Sequence, residues 1–112
     1  MVPVPGGSLT GLPPGVQETL AAVLRRHPAV RRAVLFGSRA KGTAEASSDI
    51  DLALDGNLTE FQAEAIALEL NDLPLPYVFD LKALADVTHA PLLEHIRRVG
   101  VVVFEAQGPG GL

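Results

Sequence analysis

The sequence VLFGSRAKGTAEASSDIDLAL, residues 34–54, contains two predicted strands separated by small and polar residues. The first strand, Val30–Phe36, is short and mostly apolar, and the Gly37-Ser38 pair interrupts it. The second strand alternates aspartates with apolar side chains, which is the period-two pattern of a strand with one buried face. The residues between the two strands, 38–48, predict a short helix followed by a loop.

Elsewhere in the chain, helical and strand patterns alternate. Thr59 is a suitable N-cap for a helix that has Phe61, Ala65 and Leu68 on one face. The alternation predicts an α/β (α+β) domain in which helices pack on a small mixed sheet of about four strands. The other predicted helices are Pro14–Arg26, Thr59 to about Leu70 and Pro91–Arg98, and the other predicted strands are Tyr77–Leu81 and Val101–Phe104.

The composition is that of one globular domain. The 112 residues are 47% hydrophobic and 20% charged, and 9 Lys plus Arg against 13 Asp plus Glu give a formal net charge of −4. Glycine and proline concentrate at both ends of the chain. This distribution predicts flexible tails at residues 1–15 and 107–112 around a domain of residues 16–106.

Composition also excludes several classes of protein. The absence of cysteine excludes a disulfide scaffold, a thiol nucleophile and a zinc site with thiolate ligands. No apolar stretch is long enough to cross a membrane, and the first residues, MVPVPGG, lack the features of a signal peptide. We therefore expect a cytoplasmic protein. The acidic balance argues against direct binding of nucleic acid, which needs a basic face.

Two carboxylates are the first candidates for chemistry. Asp49 and Asp51 are two positions apart, so on a strand they share one face while the apolar residues that alternate with them face the core. Because like charges repel, the pair either retains a proton or binds a cation. Mg²⁺ suits such a pair. The alternative is a solvated strand face; a calcium loop is excluded, because Leu54 stands where that loop needs glycine.

The Gly37-Ser38 break is the second candidate. Small residues at a strand end let backbone N–H groups approach a ligand, and a helix starting there would favour a phosphate. Arg39 and Lys41 could neutralise phosphate charge. The alternative is an ordinary strand-to-helix turn with both cations in water. A P-loop is excluded, because Thr43 occupies the position of its lysine.

Asp80 is the third candidate, because it interrupts an otherwise apolar strand, Tyr77–Leu81. If this strand lies beside the one that carries Asp49 and Asp51, three carboxylates converge. Such a cluster can hold two Mg²⁺ ions and support an in-line phosphoryl displacement. The alternative is that Asp80 only marks the exposed end of its strand.

Together these residues resemble the nucleotidyltransferase superfamily related to DNA polymerase beta. The signature of that superfamily is Gly-Ser, ten residues and then Asp-x-Asp. Here Gly37-Ser38 is followed after ten residues by Asp49-x-Asp51, and the surroundings of Asp80 are similar to those of the superfamily's third carboxylate. Each part alone is weak, but the combination is specific.

The resemblance covers about residues 16–106, and the short chain is similar to the minimal nucleotidyltransferase branch, which includes MntA-type antitoxins. It implies the polymerase beta-like palm fold. It also implies transfer of AMP from ATP to a tyrosine of a HEPN ribonuclease toxin, which would make this chain the antitoxin of a toxin–antitoxin pair. The implied partners are the HEPN toxin and ATP, within a homo-oligomer or a hetero-complex.

The same resemblance implies roles for individual residues. Asp49, Asp51 and Asp80 would be the catalytic residues and would ligate two Mg²⁺ ions, with Asp80 also helping to activate the attacking hydroxyl. Gly37 and Ser38 would hold the triphosphate. The residues implied to bind nucleotide are Gly37, Ser38 and Arg39.

Two other functions stay open at this point. One is an antitoxin that occludes its toxin without chemistry, and the other is a nucleotidyltransferase acting on a small molecule. The remaining polar residues are given ordinary roles. His27, His89 and His95 are expected to face solvent or to have satisfied hydrogen bonds, and Tyr77 to pack at the edge of the core.

Overall fold

A computed structural model describes residues 12–13, 15–41 and 49–106, apart from the side chains of Ser38 and Lys41. The predicted loop at 43–48 and most of the two predicted tails lie outside the described residues. Within the predicted amino-terminal tail, Leu12 is buried in the core. The domain boundaries proposed from composition remain a prediction.

The fold is a four-stranded mixed sheet with helices on both faces. The strands are ordered β3-β2-β1-β4; β1 is antiparallel to β2 and to β4, and β2 is parallel to β3. The predicted fold class is thereby confirmed. The elements are α1 (Val16–Leu24), β1 (Val30–Phe36), α2 (Ser38–Lys41), β2 (Ile50–Gly56), α3 (Glu60–Asn71), β3 (Phe79–Ala83), α4 (Ala90–Val99) and β4 (Val101–Glu105).

The start of β3 lies two residues later than its apolar pattern predicts. The side chain of Asn71, at the end of α3, brackets Phe79: the Phe79 N–H donates to Asn71 Oδ1 at 2.8 Å, and Asn71 Nδ2 donates to the Phe79 carbonyl at 3.0 Å. Ladder pairing with β2 begins at the same residue, Phe79 opposite Ile50. These two hydrogen bonds hold Phe79 where the chain joins the sheet, and the position of Asp80 follows from that of Phe79.

The main core lies on one face of the sheet, beneath α1 and α3. Leucines from helices and strands are fully buried there, and burying such a side chain contributes roughly 1.5–3 kcal/mol. The largest fully buried side chains are Leu20, Leu24, Leu35, Ile50, Leu52, Leu54, Leu70 and Val30.

Helix α3 packs on the sheet through the face opposite to Phe61, Ala65 and Leu68, the apolar residues that identified it in the sequence. Ala63, Ile66 and Leu70 are buried, whereas Phe61 and Leu68 are 80% and 73% exposed. The spacing of these exposed residues correctly predicted a helix, but it did not indicate which side of the helix packs on the sheet. The reason is that α3 carries apolar residues on two opposite sides, so periodicity alone cannot choose between them.

Contacts at its amino-terminal end select the side of α3 that faces the sheet. Thr59 and Gln62 form a capping box, in which the Thr59 hydroxyl accepts from the Gln62 N–H and Gln62 Oε1 accepts from the Thr59 N–H. The next residue, Glu60, accepts a hydrogen bond from the N–H of Ala83 at 2.8 Å. This bond ties the first turn of α3 to the end of β3 and fixes the rotation of the helix.

The second face of the sheet is covered only in part. Helix α4 lies across β1 and buries Ile96 against Phe36 and Ala53. The edge of this face that β2 and β3 form carries polar side chains instead, and Asp80 is exposed there. Among the described residues, none of the helices has the length and apolarity that a membrane crossing requires.

Candidate active site

The parallel pairing of β2 with β3 places Asp51 directly opposite Asp80. Both side chains belong to the face that α4 leaves partly open, because their neighbours Leu52 and Leu81 point into the main core. Asp49 is exposed and stands one residue before β2. The strand that carries Asp80 is therefore the neighbour of the strand that carries Asp51, which was the condition for the three carboxylates to converge.

The pKa of Asp51 is raised above its ordinary value. Burial is the largest cause, because it disfavours the charged carboxylate, and the negative charges of Asp80 and Asp49 raise the pKa further. Lys82 and His95 act in the opposite direction but do not offset these effects. The folded chain thus holds a partly buried carboxylate in a field of like charge, and a cation bound there would relieve the repulsion.

Gly37 brings the backbone bend after β1 against this carboxylate. Its φ is +77°, in the left-handed region that favours glycine. A Cβ at this position would lie only 2.5 Å from Asp51 Oδ2. Gly37 is therefore required twice, for its backbone conformation and for the space that Asp51 occupies. The two halves of the sequence motif meet at this contact.

His95 is a component of the site that sequence reasoning did not find. The Gly37 N–H donates to His95 Nε2 at 3.2 Å, and the imidazole ring meets Phe36 edge-on with centroids 6.3 Å apart. His95 does have a hydrogen bond, as expected, but its partner is the backbone of the bend. No local pattern could reveal this, because only the docking of α4 on β1 brings His95 to Gly37. The neighbouring buried Ile96 is the one indirect signal.

Replacement of His95 by Phe tests whether its acceptor positions the bend. The ring contact with Phe36 would be kept while the hydrogen bond from Gly37 is lost, and a hydrogen bond of this kind contributes about 0.5–1.5 kcal/mol. We expect kcat/KM for nucleotidyl transfer to fall roughly three- to tenfold with the melting temperature little changed. His89→Phe, at an exposed position before α4, is the control. Equal activities of the two variants would show that His95 has no role in the site.

Arg39 follows the bend on α2 and is almost fully buried. Its exposed fraction is 9%, and its guanidinium carbon lies 5.6 Å from the centroid of the Tyr77 ring. The alternative that left this cation in water is therefore wrong. Tyr77 packs at the edge of the core, as predicted. Stacking on Tyr77 anchors the start of α2 beside the site, and the binding of nucleotide by Arg39 stays a prediction.

The carboxylates suit a hard cation in chemistry but are not assembled around one. Across residues 12–13, 15–41 and 49–106, no three acidic or histidine side chains are close enough together to hold a metal ion as they stand. The oxygen donors of Asp49, Asp51 and Asp80 are nevertheless of the type that Mg²⁺ prefers. At Asp51 the negative charges of Asp80 and Asp49 outweigh the opposing effects of Lys82 and His95. The residues present therefore fit a divalent ion in the chemistry of their donor atoms.

Comparison with solved structures shows the same fold in toxin–antitoxin complexes. A chain of a toxin–antitoxin crystal structure with AMP-PNP is 26% identical, with a TM-score of 0.68; the match covers 81% of this chain and 74% of that one. A chain of the MntA-HepT toxin–antitoxin structure is 22% identical, with a TM-score of 0.60 and coverage of 81% and 71%.

A third similar structure is that of a tri-AMPylated Shewanella oneidensis HEPN toxin in complex with MNT antitoxin. It is 21% identical, with a TM-score of 0.54 and coverage of 81% and 71%. Matches at this level of identity and below show the fold alone. A search of curated proteins found no match to the chain.

The family comparison agrees with the geometry. The protein-family model for polymerase beta nucleotidyltransferases matches residues 18–108, which include both β-strands of the motif, the bend at Gly37 and all three aspartates. The match thus covers the sheet, the sequence motif and the paired Asp51 and Asp80 within a single domain. This chain belongs to the polymerase beta nucleotidyltransferase family.

Proposed function

We propose that the chain is a Mg²⁺-dependent nucleotidyltransferase that transfers AMP from ATP to a tyrosine hydroxyl of a HEPN-domain toxin and so acts as its antitoxin. The observation that carries this proposal is the pairing of Asp51 with Asp80 across parallel strands beside the Gly37 bend. Membership in the nucleotidyltransferase family supports the reaction class. A cytoplasmic location is part of the proposal.

Asp49, Asp51 and Asp80 would hold two Mg²⁺ ions in this proposal. Bound magnesium would offset the charge of the triphosphate and of the departing pyrophosphate. Ionised Asp51 would be required for this, and the raised pKa makes its ionisation less favourable than that of an exposed carboxyl group. Binding of the ion and ionisation of Asp51 would therefore be coupled.

The proposed transfer of AMP needs no reactant besides ATP and the tyrosine hydroxyl. The tyrosine oxygen attacks the α-phosphorus of ATP, a new P–O bond forms, and the bond to the β-phosphate bridging oxygen breaks as pyrophosphate leaves. Asp80 is exposed and would face the incoming hydroxyl, whose proton its carboxylate can accept. Asp51 is more enclosed and would stay with the nucleotide phosphates.

The bend would bind the triphosphate through Gly37 and Ser38, with Arg39 beside it. The Gly37 N–H donates to His95, so Gly37 would contribute by placing the bend beside the phosphates while that hydrogen bond is kept. The Ser38 hydroxyl falls outside the described side chains. Arg39 would contribute charge from its position beside Tyr77.

The proposed partner and acceptor are supported by the similar structures. One of them contains an AMPylated HEPN toxin bound to an MNT antitoxin, and another contains AMP-PNP in a toxin–antitoxin complex. We propose that the present chain forms a hetero-complex of the same kind with a HEPN-domain protein. A non-catalytic antitoxin and a small-molecule nucleotidyltransferase are the competing functions.

Label transfer from α-³²P-labelled ATP distinguishes the three functions. We expect a purified HEPN-domain toxin to become labelled in the presence of the chain and Mg²⁺, and Asp49→Asn to abolish the label. Asp55→Asn, at the far end of β2, is the matched control and should leave transfer unchanged. Neutralisation of the toxin without any label would support occlusion. Turnover of ATP with an aminoglycoside and no protein would support the small-molecule enzyme.

A further inference from the structure

Helix α3 presents an apolar stripe to solvent, which we call the outer face of α3: Phe61, Ala65 and Leu68. These residues recur at helical spacing on the side of the helix opposite its buried residues. Phe61 and Leu68 are the two most exposed large apolar side chains among the described residues. An amphipathic surface helix normally turns polar side chains outward. Contiguous exposed apolar side chains mark a site of interaction.

A groove continues the outer face of α3 toward the preceding part of the chain. It has a volume of about 330 Å³ and runs between α3 and the turn at Pro28 and Ala29, which joins α1 to β1. Phe61 and Ala65 form one wall. A side chain of a bound partner could enter this groove while its neighbours cover Leu68. The surface therefore has both a flat apolar part and a recess for an anchoring residue.

The charged residues of α3 beside this face are all acidic. Residues 60–72 contain no Lys or Arg. Glu64 and Asp72 follow Phe61 and Leu68 by three and four positions, so both border the stripe. Arg26 and His27 line the groove, but Arg26 is paired with Glu69, and a hydrogen bond from His27 lowers the pKa of Glu69. The surface thus offers apolar contact within a negative border.

This charge pattern selects among possible occupants. Two copies that paired through this face would bring Glu64 and Asp72 against the same acidic residues, which is unfavourable. A second copy bound through some other face would make a head-to-tail contact, which forms rings or filaments instead of a closed pair. A different protein that presents an apolar helix flanked by basic residues avoids both the charge repulsion and the head-to-tail assembly.

We propose that the outer face of α3 docks an amphipathic helix of the partner protein, with Lys or Arg flanking its apolar residues. The proposal rests on the proposed function for the identity of that partner, the HEPN-domain protein. Because α3 and Asp51 lie on opposite faces of the sheet, docking leaves the nucleotide site open. Docking at this face therefore does not occupy the nucleotide site, which stays accessible to the tyrosine that the partner would present.

Calorimetric titration of the HEPN-domain protein into the full chain tests this surface. Phe61→Glu and Leu68→Glu should each weaken binding about 30-fold or more, as expected for central apolar anchors. Glu64→Lys should also weaken binding, because it places a cation against basic flanks. Val102→Glu, an exposed apolar position on β4, is the matched control. Since Phe61 and Leu68 are at least 73% exposed, these variants should keep the melting temperature and ATP affinity of the parent chain.

The outcomes separate this proposal from the function on which it rests. Unchanged binding in both glutamate variants would overturn the docking site and leave the transferase standing. A dimer of the chain alone that Phe61→Glu dissociates in sedimentation would overturn it too, because a second copy would be the occupant. Binding by the parent chain without label transfer would refute the reaction but not the docking site. Failure of the parent chain to bind the HEPN-domain protein would overturn both the proposed docking site and the proposed transfer to that protein.

Discussion

Asp51→Asn should abolish nucleotidyl transfer and at the same time make the metal-free chain more stable. Loss of activity of at least about 10²- to 10³-fold is expected, because one of the charges that would hold the cation and the nucleotide phosphates is removed. The gain in stability has a separate cause. In the folded chain Asp51 is partly buried beside Asp80 and Asp49, and asparagine carries no charge to desolvate or repel.

The sign of the stability effect depends on pH. Because folding raises the pKa of Asp51, its charged form is disfavoured in the folded state, and this cost is present at pH values above the raised pKa. The cost disappears as pH falls below the ordinary carboxyl range, where Asp51 is protonated in both states. Asp51→Asn should therefore raise the melting temperature by roughly a few degrees at pH 7, and by less near pH 4.

Thermal unfolding without divalent ions, at both pH values, measures this effect. Mg²⁺ should then raise the melting temperature of the parent chain and not that of Asp51→Asn, since only a ligand of the folded state stabilises it. Asp55→Asn lies on the same strand and serves as the control in both experiments. An Asp51→Asn chain that melts below the parent at pH 7 would contradict the electrostatic account, and full retention of transfer would contradict the catalytic one.

Gly37→Ala should inactivate the chain through sterics alone. The substitution forces a residue with a side chain to keep a φ of +77° and places a Cβ 2.5 Å from Asp51 Oδ2. The backbone strain costs about 1–3 kcal/mol. In addition the Asp51 carboxylate must move, and a displacement of about 1 Å at a reacting centre can lower the rate about 10²-fold.

The chain supplies a matched control for this substitution at Gly15. Gly15 has a similar φ of +83°, but a Cβ there would meet no atom of the described residues within 4 Å. Gly15→Ala should therefore show the strain and little else: a lower melting temperature with transfer unchanged below it. Comparison of the two alanine variants by unfolding and by label transfer separates strain from contact with Asp51. Equal activities would mean that the closeness of Gly37 to Asp51 has no part in catalysis.

The local pattern alone was sufficient for the motif and for most of the elements. The alternation around Asp51 predicted β2, and Gly37-Ser38 marked the end of β1 at Phe36. Both depend on neighbours in the chain: strand periodicity and the special backbone freedom of glycine. The prediction of a cation site followed from the spacing of Asp49 and Asp51, which needs no information about distant residues; the structure places Asp51 on β2 and Asp49 one residue before it.

Contacts between residues far apart in the sequence determined the features that the local sequence pattern left ambiguous. The parallel pairing of β2 with β3 set Asp80 opposite Asp51, and the docking of α4 brought His95 to Gly37. In α3, two opposite apolar sides competed for the core; the side with Ala63, Ile66 and Leu70 is buried, and the bond from Ala83 to Glu60 holds its first turn against β3. Local periodicity states that a side is apolar, but only packing against the sheet determines which apolar side is removed from water.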